Sequence, residues 1–334
     1  MMGMRAAGSD GMGDPARIGN SVRMEGTAPT DAELRPEDFR FVERPDEASF
    51  LLRPSVSYWQ DAWRRLERDR LALLGGAAIL LILFLAVVGP WLSPYAYDTQ
   101  DFLESNELPS LKHWFGTDMF GRDLLVRVLY GARISLAVGF VASLINLTIG
   151  VIYGGVSGFV GGRTDNFMMR VVDTIYSVPL MIYVILLMVV VGPGLKSIFL
   201  TLGISYWASM ARIVRSEVMR IKNEEFVLAA RVLGASGARM LLRHLIPNAM
   251  GPILVTLTFS IPQAIFTEAF LSFVGLGVSA PMASWGVLCN DAIGALAIYP
   301  WQLFFPAAAI SVTILAFNFL GDGLRDALDP RLRK

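Results

Sequence analysis

The 334-residue sequence contains few of the side chains that usually carry catalysis or hold metals. It has one cysteine, Cys289, and two histidines, His113 and His244. A single cysteine excludes a disulfide framework and a cysteine-rich metal site, and two histidines leave little for zinc or acid–base chemistry. The 29 basic residues balance 29 acidic ones. Without a basic excess, the sequence does not have the composition of a nucleic-acid-binding protein.

Charge is also scarce, whereas apolar residues are abundant. Charged residues make up 17% of the chain, against about 25% in a typical soluble domain, and 54% of residues are hydrophobic. A helix needs about 20 apolar residues to cross a bilayer. The long uncharged runs predict six transmembrane helices, at 71–92, 132–157, 171–192, 196–214, 249–274 and 300–320. We therefore expect an all-α polytopic membrane protein, with a loop lying on the outer face after residue 274.

The distribution of lysine and arginine predicts that both termini are cytoplasmic. With the N-terminus inside, 24 of these residues lie on inner segments and 5 on outer ones, as the positive-inside rule requires. The predicted organisation is a disordered cytoplasmic tail (1–50), an amphipathic cytoplasmic helix (55–70), a first transmembrane helix (71–92), an extracytoplasmic loop (93–130), a core of five transmembrane helices (131–322) and a cytoplasmic C-terminal tail (323–334).

The segment before the first span has apolar side chains at helical spacing on one face. They are Tyr58, Trp59, Ala62, Trp63 and Leu66, opposite a polar face. This pattern predicts a helix that lies on the inner membrane surface.

Ionisable groups at membrane depth are few, and each is a candidate functional residue. Glu268 interrupts the fifth apolar stretch, where it either bonds to the following loop or lines a path. Arg170 and Asp173 are spaced i, i+3, which predicts an ion pair on one helix face.

Prolines within the spans predict bent helices around a cavity, which is typical of a transporter. Pro179, Pro252, Pro262 and Pro306 each remove a backbone donor from a helix. The candidates for a translocation path or gate are Asp173, Ser177, Pro179, Pro262 and Glu268.

Enzymatic motifs are weak or absent. The tetrapeptide Gly155–Gly158 resembles the surroundings of an intramembrane serine nucleophile, Ser157, but neither histidine lies in a predicted span. The phosphate-binding pattern GxxxxGK[ST] does not occur. If ATP is used, we expect another chain to bind it.

The most specific local pattern is a hairpin, at 216–247, between the fourth and fifth spans. Asn223 is suited to cap a helix whose first turn holds Glu224 and Glu225, and Gly234 is suited to end it. Ser236 then begins a second helix, predicted to stop before Pro247. The hairpin either lies on the bilayer or projects into a groove of a partner protein.

At these residues the chain resembles a known family. Ala229, Ala230, Gly234 and Pro247 match the spacing of the "EAA" signature of permease subunits in ATP-binding-cassette importers, although Leu228 replaces the signature glutamate. A second signature, which is similar to that of the peptide-importer branch, comprises Gly116, Thr117, Asp118, Gly121, Arg122 and Asp123. From about Ser57 onward the chain resembles the C-type permease of dipeptide, oligopeptide or nickel importers.

The resemblance implies a type I ABC importer permease fold in a bacterial or archaeal cytoplasmic membrane. It implies a second (B-type) permease, two ATP-binding-cassette ATPases that hold ATP and Mg, an extracytoplasmic substrate-binding protein and a peptide substrate. It implies no cofactor, metal or catalytic residue in this chain. The residues expected to dock on the ATPases are Glu224, Glu225, Ala229, Ala230, Arg231, Gly234 and Ala235.

Two other hypotheses remain from the residues alone. One is a proton-coupled secondary carrier that uses Glu268 or Asp173, although no internal duplication is visible in the sequence. The other is an intramembrane peptidase that uses Ser157.

Overall fold

The computed structural model describes residues 58–278 and 281–329, and all regular elements in these ranges are helical. The predicted tail at 1–50 lies outside the described residues, as do the start of the segment at 55–70 and the end of the C-terminal tail. The helices are α1 (Tyr58–Leu66), α2 (Arg70–Leu92), α3 (Leu124–Val160), α4 (Gly162–Ser177), α5 (Leu180–Val191), α6 (Leu195–Ser205), α7 (Trp207–Ile221), α8 (Glu225–Val232), α9 (Gly237–Arg239), α10 (Ile246–Asn248), α11 (Met250–Phe273), α12 (Trp285–Ala292) and α13 (Trp301–Leu328).

By length and composition, five helical stretches of the described chain can cross a membrane. They are α2, α3, the stretch Leu195–Ile221 formed by α6 and α7, α11 and α13. The pair α4 and α5 makes a sixth span if it is counted as one, with a bend of 82° between its halves. The predicted all-α fold with up to six spans is therefore confirmed.

Several helix ends differ from the predicted bounds. Helix α3 begins at Leu124 rather than near 132, because the Asp123 carboxylate caps it by accepting the Val126 amide at 2.9 Å. Helix α13 continues to Leu328, so the predicted C-terminal tail at 323–334 begins inside a helix. Sequence hydropathy finds the apolar part of a helix and misses the polar turns that extend beyond it.

Helices pack closely where glycine removes side-chain volume. A Cβ atom added at Gly154 of α3 would lie 2.2 Å from the carbonyl oxygen of Ala211 on α7, and Gly150 and Gly158 lie one turn away on either side. This small-residue stripe lets the two backbones approach, as is typical of membrane helix pairs.

The segment after residue 274 is not a loop on the surface, as predicted, because it folds back as α12 into the bundle. The Ser284 side chain caps α12. Trp285 is buried, and its indole nitrogen donates to the Val128 carbonyl of α3 at 2.9 Å. The segment, in which Asp291 is the one charged residue, is buried between α3, α11 and α13.

The two ends of the bundle carry different structures. At one end, which we call the loop end, residues 93–123 cover the start of α3. At the other, the hairpin end, residues 222–249 connect α7 to α11. Helix α1 also lies at the hairpin end, where its Tyr58 hydroxyl donates to the Leu328 carbonyl of α13 at 2.9 Å.

Candidate functional site

A cavity of about 620 Å³ opens between α3, the bent pair α4–α5, the pair α6–α7, α11 and the end of α13. Its lining comprises Asn146, Ile175, Tyr176, Val178, Pro179, Leu180, Ser205, Tyr206, Ser209, Val255, Thr256, Phe259, Ser260, Gln263, Thr267 and Arg325. The cavity is therefore formed by helices from both halves of the chain.

The bend between α4 and α5 forms one wall of this cavity. Pro179 stands at the break, where it has no amide hydrogen to donate and holds an extended backbone conformation. The Tyr183 hydroxyl donates to the Ile175 carbonyl at 3.2 Å and so satisfies a carbonyl beside the break. Non-helical backbone at membrane depth is tolerated where it lines a cavity, which is the position that Pro179 occupies.

The cavity lining is polar but almost uncharged. Of the described residues that line it, only Arg325 has a charge, and this residue is exposed near the hairpin end. Asn146 Oδ1 and Ser205 Oγ are buried atoms without a hydrogen-bond partner within the described ranges. Such groups are costly unless a ligand or water satisfies them. The lining therefore offers neutral hydrogen-bonding groups beside the aromatic rings of Tyr176 and Tyr206.

The other predicted path residues lie around the cavity rather than in its lining. Ser177 is adjacent to it and donates to the Thr174 carbonyl. Pro262 is buried inside α11. Asp173 accepts from Arg212 of α7 at 2.8 Å, so the predicted local pair with Arg170 is wrong. The packing of α4 against α7 brings Arg212 within reach of Asp173, which helix periodicity alone could not indicate.

Glu268 is fully buried and joins helices rather than lining a path. Its carboxylate accepts the hydroxyl of Ser135 on α3 and that of Ser272 on α11, each at 2.8 Å. Of the two interpretations of Glu268, the geometry favours the hydrogen-bonded one. Besides these partners on α3 and α11, the carboxylate bonds to Ser284 in the segment that follows α11, as one of the two interpretations predicts.

The Ser157 hydroxyl takes part in a hydrogen-bonded contact between helices α3, α4 and α7. Its hydroxyl donates to Asp165 at 2.6 Å, and Arg215 of α7 binds the same carboxylate through two nitrogen atoms. The hydrogen bonds of His113 lead to carboxylates in the loop at 93–123, not to Ser157. Within the described residues, the Ser157 hydroxyl is bonded to Asp165 and not to a histidine, the usual base of a serine nucleophile.

The hairpin has the two short helical parts that the sequence predicts, with different bounds. Glu224, rather than Asn223, is the N-cap of α8. At its end the Ala235 amide donates to the Ala230 carbonyl and the Gly234 amide to the Arg231 carbonyl, both at 3.0 Å. With Gly234 at φ +82°, these two bonds form a Schellman motif. The second part does not stop before Pro247, because α9, a π-helical turn and α10 run on to Asn248.

One side of α8 packs on the bundle and the other is exposed. Val227 is fully buried in a cluster with Val218 and Ile221 of α7, and Leu245 and Ile253 of the following segments. The exposed side has apolar residues, namely Phe226, Leu228, Val232 and Leu233, of which the last two are 87% and 86% exposed. Ala229, Glu225 and Arg231 are exposed beside them, whereas Ala230 and Ala235 are half-buried. The hairpin thus has the form of an apolar protrusion anchored on α7 and α11.

The predicted signature at 116–123 is gathered into one buried cluster at the loop end. Asp118 accepts from the Arg122 side chain at 2.7 Å and also binds Arg127. Gly121 has φ +68°, and a Cβ atom there would collide with the Asp101 carbonyl oxygen. Gly116 has φ +77°, and a Cβ atom there would collide with the Glu107 carbonyl oxygen. The Glu107 amide donates to the Thr117 hydroxyl at 2.8 Å.

His113, three residues before Gly116, also joins this cluster. Its Nδ1 is 2.8 Å from Asp123 and its Nε2 is 3.0 Å from Glu104. Burial of the ring lowers the pKa of His113, but the hydrogen bonds to Asp123 and Glu104 outweigh burial and raise that pKa above its ordinary value. The cluster fixes the loop to the first turn of α3.

Sequence comparison matches the chain to two family models. The model described as binding-protein-dependent transport system inner membrane component matches residues 128–334. The model described as the N-terminal TM domain of oligopeptide transport permease C matches residues 57–109.

Individual relatives are similar over most of the chain. The dipeptide transport system permease protein DppC of Bacillus subtilis is 53% identical over 293 residues, which cover 87% of this chain and 92% of the relative. The oligopeptide permease OppC of the same organism is 52% identical, covering 86% and 94%. OppC of Escherichia coli is 44% identical, covering 83% and 92%.

A solved structure supports the fold. The inward-facing MetNI methionine ABC transporter has a chain that matches with a TM-score of 0.52 and 20% identity, covering 62% of this chain and 96% of that one. At this identity the likeness concerns the fold alone.

Proposed function

We propose that this chain forms half of the translocation path of an ATP-driven peptide importer. The chain belongs to the binding-protein-dependent transport system inner membrane component family. Within that family it resembles the oligopeptide and dipeptide permeases. A second, B-type permease forms the other half. Two ATP-binding-cassette ATPases and an extracytoplasmic substrate-binding protein complete the transporter.

The observation that carries this proposal is the connection between the exposed hairpin and the cavity. The hairpin is continuous with α7 before it and α11 after it, and both helices line the cavity. Val227 and Leu245 anchor the hairpin in a buried cluster with residues of these helices. A displacement of α8 by a partner is therefore transmitted through packed side chains to the cavity walls.

The orientation follows from charge. We place both termini and the hairpin in the cytoplasm, and the loop at 93–123 outside, because this arrangement puts 24 of 29 lysine and arginine residues on inner segments. The protein is then a multi-pass component of a bacterial or archaeal cytoplasmic membrane, and its hairpin faces the compartment that contains ATP.

We assign ATP and Mg to the partner ATPases and no catalytic residue or cofactor to this chain. The docking surface consists of the exposed side of α8 and the turn that follows it. Its residues are Glu224, Glu225, Ala229, Ala230, Arg231, Gly234 and Ala235. Leu228, which occupies the position of the signature glutamate, is exposed and contributes an apolar contact in place of a charge.

In this mechanism, the ATPases close and open against the hairpins and switch the cavity between outward and inward access. The neutral lining suits a peptide, because Asn146, Ser205 and Gln263 can bind the polar backbone that all peptides share. Pro179 keeps the wall of the cavity non-helical at the point where the helices must move.

A proton-coupled carrier is less consistent with the geometry. Glu268 is buried among hydroxyl groups and Asp173 is paired with Arg212, and neither lines the cavity. The two carboxylates therefore do not form a relay along the proposed path.

Affinity purification of the tagged chain in mild detergent, followed by mass spectrometry, tests this assignment. We expect a second permease and two ATPase chains to co-elute in equal amounts. A lone chain that drives peptide uptake into liposomes under a proton gradient, without ATP, would contradict it.

A further inference from the structure

A group of arginines lies at the junction of α1 and α2, beside the hydrophobic part of the first span. Arg64, Arg65, Arg68 and Arg70 occur within seven positions of the sequence. Helix α2, which follows at once, has the highest mean hydropathy of the candidate spans. These side chains must therefore lie near the boundary between hydrocarbon and headgroups.

Most of these arginines are not engaged by the protein. Arg65 is paired with Asp61 at 2.9 Å. Arg64, Arg68 and Arg70 are exposed, and none of them forms an ion pair within the described ranges. Three unpaired guanidinium groups thus face outward at the membrane boundary.

The same region has a cavity of about 460 Å³ between α1 and the end of α13. It is lined by Asp61, Arg64, Arg65, Arg68, Asp69, Gly323, Asp326 and Ala327. Two of the three aspartates are occupied, since Asp61 binds Arg65 and the Asp69 carboxylate accepts the amides of Leu71 and Ala72. Asp326 is the remaining acidic group, opposite Arg64 and Arg68.

Large aromatic residues flank the arginines. Trp59 and Trp63 are 50% and 62% exposed, one turn apart on α1. They are followed by exposed Leu71 and Leu74 on the first turns of α2. Tryptophan is favoured at the level of lipid headgroups, and leucine in the acyl region beyond it. The surface therefore presents unpaired arginine and tryptophan side chains at one level and apolar side chains immediately below, although the aspartates of the cavity balance the arginines that line it.

We propose that this surface binds the phosphate-bearing headgroup of an anionic phospholipid. The guanidinium groups of Arg64 and Arg68 bind the phosphate oxygens in the cavity, and Trp59 and Trp63 cover the upper part of the acyl chains. A guanidinium group matches the geometry of phosphate and can donate two hydrogen bonds to it. The bound lipid would hold α1 on the membrane surface against α13.

Native mass spectrometry of the complete transporter, loaded with phosphatidylglycerol or phosphatidylcholine, tests this proposal. Each arginine near an anionic membrane surface contributes about fivefold to binding, so the double variant R64Q/R68Q should retain phosphatidylglycerol more weakly by a factor of roughly ten or more. The matched control R239Q/R243Q removes two exposed hairpin arginines. This variant should retain phosphatidylglycerol as strongly as the unmodified protein does.

Two further measurements keep the ligand's identity testable. Inorganic phosphate at millimolar concentration should fail to displace the lipid, and W63Q should weaken phosphatidylglycerol binding without loss of the assembled transporter. Unchanged phosphatidylglycerol retention in R64Q/R68Q, equal retention of phosphatidylcholine, or displacement by inorganic phosphate would each overturn the proposal. None of these results depends on peptide uptake, so a failure here is distinct from a failure of the assigned function.

Discussion

Asp173 of α4 and Arg212 of α7 form an ion pair at 2.8 Å across two helices that also border the cavity. About two turns before Asp173 on α4, Asp165 binds Arg215 of α7 and the Ser157 hydroxyl. The two pairs join the same helices but differ in burial. Asp165 is buried, whereas the Asp173 and Arg212 side chains are 55% and 40% exposed.

This difference in burial predicts that neutralising the two aspartates will lower the free energy of unfolding by different amounts. D173N should lower the free energy of unfolding by about 1 kcal/mol or less, since exposed pairs contribute little. D165N should lower it by about 2–4 kcal/mol, because it leaves Arg215 and Ser157 without their buried acceptor. Thermal unfolding of the purified chain in detergent measures both. Equal decreases in the free energy of unfolding for the two variants would show that burial does not determine how much each ion pair stabilises the protein.

The contact between α3 and α7 should depend on the absence of a side chain at Gly154. A methyl group there would meet the backbone of Ala211, which cannot move aside, so G154A should destabilise the protein by about 1–3 kcal/mol. The control is G76A on α2, where an added Cβ meets only the end of the Leu320 side chain at 3.8 Å. An equal decrease in unfolding temperature for the two variants would contradict this account of the helix contact.

The loop cluster should be sensitive to pH through His113. The folded protein raises the pKa of His113 above 6.5, so the stabilisation from its protonated form is fully present below pH 6.5 and is lost as the pH rises through the raised value. H113Q lacks this charge. The difference in unfolding temperature between the unmodified protein and H113Q should therefore be largest below pH 6.5 and shrink at higher pH. A difference that grows with pH would indicate that the neutral ring is the stabilising form.

The sequence predicted the features that depend on local pattern. Uncharged runs identified the spans, and the positions of Gly234 and Ser236 identified the turn of the hairpin. Periodicity also located the amphipathic face of α1, whose Ala62 is buried while Trp59 and Trp63 are exposed.

Features that depend on distant contacts were missed. Nothing near Asp173 indicates Arg212, which lies 39 positions away. The burial of α12 could not be inferred from its composition, because a nearly uncharged segment suits both a buried helix and a membrane-facing loop. The signature at 116–123 indicated only a resemblance to the outer loop of a permease family, and the structure shows that Asp118, Asp123 and the two glycines build the loop itself.

The central proposal is that the hairpin couples the partner ATPases to the cavity. Gly234 has φ +82° and open space around it, so a leucine there strains the turn without a collision. A residue with a side chain loses about 1–2 kcal/mol when its backbone is left-handed. This energy corresponds to a decrease of about tenfold in the population of the turn that docks on the ATPases. Gly192, at the end of α5, has φ +95° and equally open space, so G192L imposes the same strain away from the hairpin.

The most direct test measures ATP hydrolysis and peptide uptake together, in proteoliposomes that contain the complete transporter. The account predicts that G234L keeps its place in the membrane and its hydrolysis but loses about tenfold in peptide taken up per ATP, whereas G192L keeps the ratio of the unmodified protein. An unchanged ratio in G234L would contradict the coupling role of the hairpin.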